Sequence, residues 1–316
     1  SNNINLTYFG LGSTSSTLTS IDLSNNTLLT RIQAVGNPNL SSLDLRNTNI
    51  QNYTVAQLSG SPNLNCISVD DATWATANWT NIDSHTSFSP NCDKTYVPDD
   101  NFEAYLETHD ASGNIVTLGD PTSMGDGIAN NDSVTTSNIS FVDSLNINSQ
   151  SIFDLSGIED FSSLKELHCI SNQLSNLDIS QNNLLFEIEC QFNQLNTLDL
   201  NNNTALIYLN CASNQITNLD VSSNTSLTLL ECSSNLLTNL DISNNTSLTF
   251  LSCGQNQLDS LDVTQNTSLT WLFCSNNQLS SLDVTQNTSL SELYCNDNQL
   301  SNLDVTQNTS LSRLFC

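Results

Sequence analysis

Cysteine stands at residues 169, 190, 211, 232, 253, 274, 295 and 316, always 21 residues apart. A period held without insertion through so many registers means one supersecondary unit stacked on copies of itself. The unit reads LxxLxCxxNQLxxLDVxxNTS, cleanest from Leu248 to Ser268. No such unit can bury its apolar residues alone, so the copies must form a solenoid with a continuous core.

Composition by itself would mislead. Hydrophobic residues make up 37% of the 316 and charged ones 12%, and the remainder is rich in Asn, Ser and Thr. Such a chain resembles a disordered one until it is aligned against itself. Charge is more informative: 5 Lys and Arg against 32 Asp and Glu leave a formal charge of −27. That balance argues against nucleic acid as a partner and against an anionic membrane face, since both need a basic footprint. No apolar run approaches the roughly 18 residues of a membrane span, so no transmembrane segment is expected in this portion.

The repeat resembles a leucine-rich repeat with Cys at one inward position where Leu is usual. The resemblance covers most of the chain and implies an α/β or mainly β solenoid with little helix. LxxLxC should form one short strand per coil, stacked as a parallel sheet on the concave side. Period 2 then points Leu251 and Cys253 inward and Phe250 and Ser252 outward. Asn256 and its equivalents (Asn172, Asn193, Asn214, Asn235, Asn277 and Asn298) should turn inward to satisfy backbone groups of the buried turn. A second Asn row, from Asn182 through Asn245 to Asn308, is expected to do the same at the opposite bend.

Four segments follow along the chain. Residues 1–65 hold a looser repeat without Cys (LTSIDLSNN, then LSSLDLRNT), and 66–93 break the period with two Trp, as a C-terminal cap would. Residues 94–163 open a second block as its N-terminal cap and entry repeats: a helix starting near Pro98 and Asp99, together with DLSGIEDFSSL ahead of the first Cys repeat, resembles such a cap. Residues 164–316 are the regular array. This cap–repeat–cap order is similar to surface proteins of Bacteroidota bacteria, many exported by type IX secretion. VPDDNFE, MGDGI and DLSGIEDF carry that likeness. Ser1 opens without Met or a signal peptide and Cys316 stops in mid-strand, as in a segment of a longer chain whose other parts hold the export signal and sorting domain.

The cysteines do not read as a metal centre, because zinc sites use close clusters such as CxxC and none is present. Neighbouring inward thiols should lie roughly 5 Å apart, a distance that admits disulfides. In-register parallel side chains rarely offer the required dihedral, so a buried, reduced row of small hydrophobes is expected. Cys66 and Cys92 bracket the first cap outside the period, and a disulfide between them suits an oxidising compartment. His85, His109 and His168 form no Cys-His nucleophile motif.

Asp178, Asp199, Asp220, Asp241, Asp262, Asp283 and Asp304 form a further column. Carboxylates about 5 Å apart repel by about 0.8 kcal/mol per pair in water. Hydrogen bonds to Ser, Thr or backbone N–H groups of the next coil would offset this. Bound calcium or magnesium would too, with Asp220, Asp241, Asp262 and Asp283 as candidate ligands. Calcium takes about six to eight oxygens, more than an Asp row supplies. No cofactor is therefore expected, calcium being the one candidate. GDGIANND, from Gly125 to Asp132, has a faint calcium-loop look but departs from the EF-hand spacing.

Variation in the outward strand positions should locate function. One column reads Glu166, Glu187, Tyr208, Leu229, Phe250, Trp271, Glu292, Arg313. The other reads His168, Glu189, Asn210, Glu231, Ser252, Phe273, Tyr294, Phe315. One end is acidic and the other aromatic. Tyr208, Phe250, Trp271, Phe273, Tyr294 and Phe315 are the candidate ligand-binding residues, since an exposed aromatic patch is a common binding surface and suits sugar rings or apolar protein anchors. The alternative role for these rings is to strengthen strand pairing. Ser133, Ser144 and Ser260 match the Asp-Ser-aliphatic pattern of Bacteroidota O-glycosylation. No phosphate loop, Ser-His-Asp order or facing carboxylate pair appears, so an enzyme is not expected. The expectation is a non-catalytic extracellular module on a Gram-negative cell surface, binding a protein or glycan through the concave face. The alternative is a stalk that displays other domains or binds a secretion or motility component.

Overall fold

The structure is a computed structural model that describes residues 4–12, 17–64, 66–90 and 92–316. The chain divides into two compact units, Ser1–Thr95 and Tyr96–Cys316.

In the first unit the loose repeat builds two parallel sheets. Tyr8–Gly10, Arg31–Gln33 and Val55–Gln57 form one, and Ser20–Asp22, Ser42–Asp44, Cys66–Ser68 and Ser87–Ser89 form the other. Its coils thus carry strands on two faces, with Ile32, Leu43 and Ile67 buried at strand centres. The segment expected to break the period keeps Ile67 in register with Phe88. A helix at Ala72–Asn78 is set into this coil, capped by Asp71, which accepts from Trp74 N at 2.9 Å. Trp79 is buried and meets the rings of Tyr53, Trp74 and Phe88 at 5.4, 6.3 and 5.6 Å. Cys66 and Cys92 are joined by a disulfide.

The second unit opens with the helix Asp100–Thr108. Asp99 caps it through Oδ1, which accepts from Asn101 N and Phe102 N, while Oδ2 accepts from Phe153 N and Asp154 N. Glu103 and Glu107 follow at spacings of four, so the three carboxylates share one helix face. All three are buried. Glu103 receives Asn131 N and Asp132 N, and Glu107 receives Asp126 N and Gly127 N. VPDDNFE is therefore tied to the start of DLSGIEDF through Asp99, and MGDGI to the same helix through Glu107.

Beyond this lies a nine-stranded parallel sheet, starting at Ser144–Asn146 and Glu166–His168 and ending at Arg313–Phe315, with one three-residue strand per coil. Register is unbroken: Leu230 faces Leu251, which faces Leu272, which faces Leu293. These Leu residues and the row from Cys169 to Cys295 are buried, and the seven thiols of that row are free. After each strand one residue, such as Ser234, Gln255 or Asn276, turns at positive φ (55°, 52° and 57°). Non-glycine residues disfavour that conformation. The ladder Asn that follows each turn anchors it. Asn256 Nδ2 donates to Cys232 O and Cys253 O, and its Oδ1 accepts from Leu237 N. In the second row Asn266 Nδ2 donates to Ile242 O and Asn245 O at the other bend.

Candidate functional site

Five of the six expected ligand-binding aromatics come together on the outward face of the second sheet. Phe250 meets Trp271 at 5.9 Å and Phe273 at 5.5 Å, both edge to face. Phe273 meets Tyr294 at 4.8 Å, and Tyr294 stacks on Phe315 at 4.6 Å. These separations lie in the range where ring quadrupoles attract. Trp271 remains 43% exposed. Tyr208 is not part of this run. Leu229 separates it from Phe250 in the column, and its hydroxyl donates to Glu189 Oε1 at 3.3 Å. It belongs to the acidic end. Ser252 and Asn210, expected to point outward, are nevertheless buried, and Asn210 Nδ2 donates to Glu231 Oε2 at 3.2 Å.

At that end Glu166, Glu187, Glu189 and Glu231 crowd one stretch of sheet. Burial, and then the charge of Glu189, push the Glu231 carboxyl above its usual range. Burial does the same to the Tyr208 hydroxyl. His168 Nδ1 lies 2.8 Å from Glu189 Oε2. His168, Glu187 and Glu189 each place a ligand atom within 4.8 Å of the others. Sequence motifs missed this group because its members come from coils 21 residues apart. Laying the two outward columns side by side would have found it.

The Asp column corrects an expectation. Its carboxylates bond within their own coil: Asp262 Oδ1 accepts from Thr264 N and Thr264 Oγ1, and Asp241 Oδ1 from Ser243 N. The hydroxyl and N–H of the residue two positions on hold Asp220, Asp262 and Asp283 below the usual carboxylate range. Asp241, Asp262 and Asp283 line an open groove of about 490 Å³. In GDGIANND, Asp126 is occupied by Ile128 N, Asn131 Nδ2 and Ser133 Oγ. Its carboxylate is spent on closing the loop. Ser144 and Ser260 are exposed, whereas Ser133 is half-buried and hydrogen-bonded to Asp126 and Asn131.

No protein-family model matches the chain, and no curated protein sequence does. Solved structures do. Internalin C2 from Listeria monocytogenes is 21% identical at a TM-score of 0.60, over 70% of this chain and 98% of that one. A leucine-rich-repeat protein of Leptospira interrogans is 21% identical at 0.52, over 95% and 82%. The functional domain of InlJ from Listeria monocytogenes, which includes a cysteine ladder, is 32% identical over 69% of this chain at a TM-score of 0.43, and the chain spans 56% of its length. The fold is that of leucine-rich-repeat proteins: a solenoid with one parallel strand per coil of about 21 residues and little helix. No helix among the described residues is long and apolar enough to cross a membrane.

Proposed function

We propose that this chain is a non-catalytic extracellular binding module whose outward sheet face, from Phe250 to Phe315, recognises a protein or glycan on a surface. One observation carries the reading: the unbroken run of ring contacts on the outward face, in which Trp271 stays well exposed although neighbouring coils flank it on both sides. Apolar surface of this kind is unfavourable in water and gains most when a ligand covers it. Flat rings present that area at little cost in conformational entropy.

The setting follows from the same reading. The Cys66–Cys92 disulfide fits an oxidising compartment. The motif phrases fit an adhesin-like protein of the type IX-secreted Bacteroidota class, on a Gram-negative surface. The proposed layout keeps a first repeat block with its cap ahead of the helix-capped array, and Ser144 and Ser260 as the accessible O-glycosylation candidates. Stalk or spacer is the second reading, favoured by the way Phe250, Phe273 and Tyr294 turn ring edges toward one another and so reinforce the sheet.

A glycan-array and surface-adhesion screen separates the two. The chain is compared with its Trp271→Ala/Phe273→Ala/Tyr294→Ala variant, with and without calcium, after circular dichroism establishes that the variant is folded. Binding by the parent that the variant loses supports recognition at the rings. Equal binding by both, or none by either, supports the stalk.

A further inference from the structure

At the acidic end of the same face, we infer that His168, Glu187 and Glu189 form a binding site for a divalent transition metal of the zinc class. The inference does not depend on the aromatic patch. His168 stands on Glu166–His168, and the two glutamates on the neighbouring parallel strand Glu187–Glu189, with His168 paired to Glu189. Both strands are locked by the buried Leu167 and Ile188 between them and the core, so the backbone beneath the cluster is rigid.

The donor set is mixed, one imidazole nitrogen and two carboxylates, which suits zinc-class ions rather than calcium or magnesium. Tetrahedral zinc with bonds of about 2.0–2.2 Å needs donors about 3.4 Å apart. Here the imidazole and Glu189 lie 2.8 Å apart and all three ligand atoms lie within 4.8 Å. Rotation about the flexible glutamate side chains closes the difference without moving the strands. Tyr208 donates to the other oxygen of Glu189, the outer support that ligating carboxylates commonly have. All three residues are half-buried, which leaves a fourth position for water or for a donor from a partner.

Charge supports the assignment. From Glu166 to Ser252 the outward strand positions carry Glu166, Glu187, Glu189 and Glu231 and no Lys or Arg. Glu187 has no hydrogen bond or ion pair from its side chain among the described residues. A divalent cation would offset this repulsion directly. The other cluster of comparable size, Asp100, Glu103 and Asp132, lacks a nitrogen donor, and both Glu103 oxygens already receive backbone N–H groups.

The test is isothermal titration of the EDTA-stripped full chain with zinc chloride, followed by cobalt(II) absorption. Both use a Cys316→Ser background, because Cys316 is the one exposed free thiol among the described residues. One equivalent should bind, and His168→Gln or Glu187→Gln should each weaken it about tenfold or more. Glu292→Gln, elsewhere on the same face, should leave it unchanged, and circular dichroism should show every variant folded. Cobalt should give the visible bands of a low-coordinate, nitrogen-containing site. Absence of stoichiometric binding by the parent overturns the inference. So does binding that survives both His168→Gln and Glu187→Gln.

Discussion

The side-chain amide of Asn256 donates to the backbone oxygen of Cys232, 24 residues earlier, at 3.1 Å. It reaches Cys253 in its own coil and accepts from Leu237 in the coil before. One side chain thus supplies the polar groups that two successive turns cannot satisfy for themselves. Asn256→Ala should lower stability by about 3 kcal/mol, since buried donors and acceptors are left unpaired. Gln257→Ala, at an exposed neighbour, should change it by less than about 0.5 kcal/mol. Urea denaturation curves compare the two.

The cysteine row should be chemically silent while folded. Burial pushes the Cys169 and Cys253 thiols up to about 12, and Cys190, Cys211, Cys232 and Cys274 well above their usual range. Thiolate is the reactive form. A disulfide-exchange reagent should titrate Cys316 alone in the native chain and all eight free thiols in denaturant. Rapid native labelling of more than one thiol would contradict the buried row.

Acid should weaken the array modestly through the exposed Asp column. Hydrogen bonds to the residue two positions on lower the folded pKa of Asp220, Asp241, Asp262 and Asp283 from an ordinary 3.8. The unfolded state then takes up protons first as pH falls. The column's contribution is complete above about pH 4 and is lost as pH drops through the lowered folded values. Urea midpoints measured from pH 6 to 2.5 should fall in the parent. The Asp241→Asn/Asp262→Asn/Asp283→Asn variant should show a shallower fall, because its amide oxygens accept the same bonds without titrating.

The N-terminal segment of the second unit depends on close packing at one glycine. A β-carbon on Gly125 would collide with the Glu107 carboxylate, which holds Asp126 N and Gly127 N. Gly125→Ala should destabilise the unit by about 1–3 kcal/mol. In a Glu107→Ala background the same change should have a much smaller effect, because the colliding atoms are gone. A double-mutant cycle by thermal denaturation measures the coupling. Additive effects would show that Gly125 matters for another reason.

Much of the architecture was legible because the repeat is an explicit spatial code. A constant 21-residue step puts Leu251 against Leu230 and Leu272, and strand parity separates Cys253 from Phe250. Asn256 could be assigned to its turn because a buried bend must find hydrogen bonds somewhere. The helix start at Asp99 was visible in the Pro-Asp-Asp of VPDDNFE. The second face of strands in the first unit was not. Its coils run 21 to 24 residues between paired strands, and without the cysteine marker their two sets of short apolar positions look like one.

By itself the sequence determined the solenoid, its inward rows and its outward columns, because these follow from periodicity and from the requirement to bury apolar area. Tertiary structure decided which side chains on a column touch. It put Tyr208 with Glu189 rather than with the aromatic run, turned each Asp to the hydroxyl or N–H two positions on instead of to the next coil, and gathered His168 with Glu187 and Glu189. It also brought Asp99 to Phe153 across 54 residues. Those choices depend on side-chain length, rotamer and the few ångströms between neighbouring coils, and a repeat pattern specifies position along the solenoid without specifying any of them.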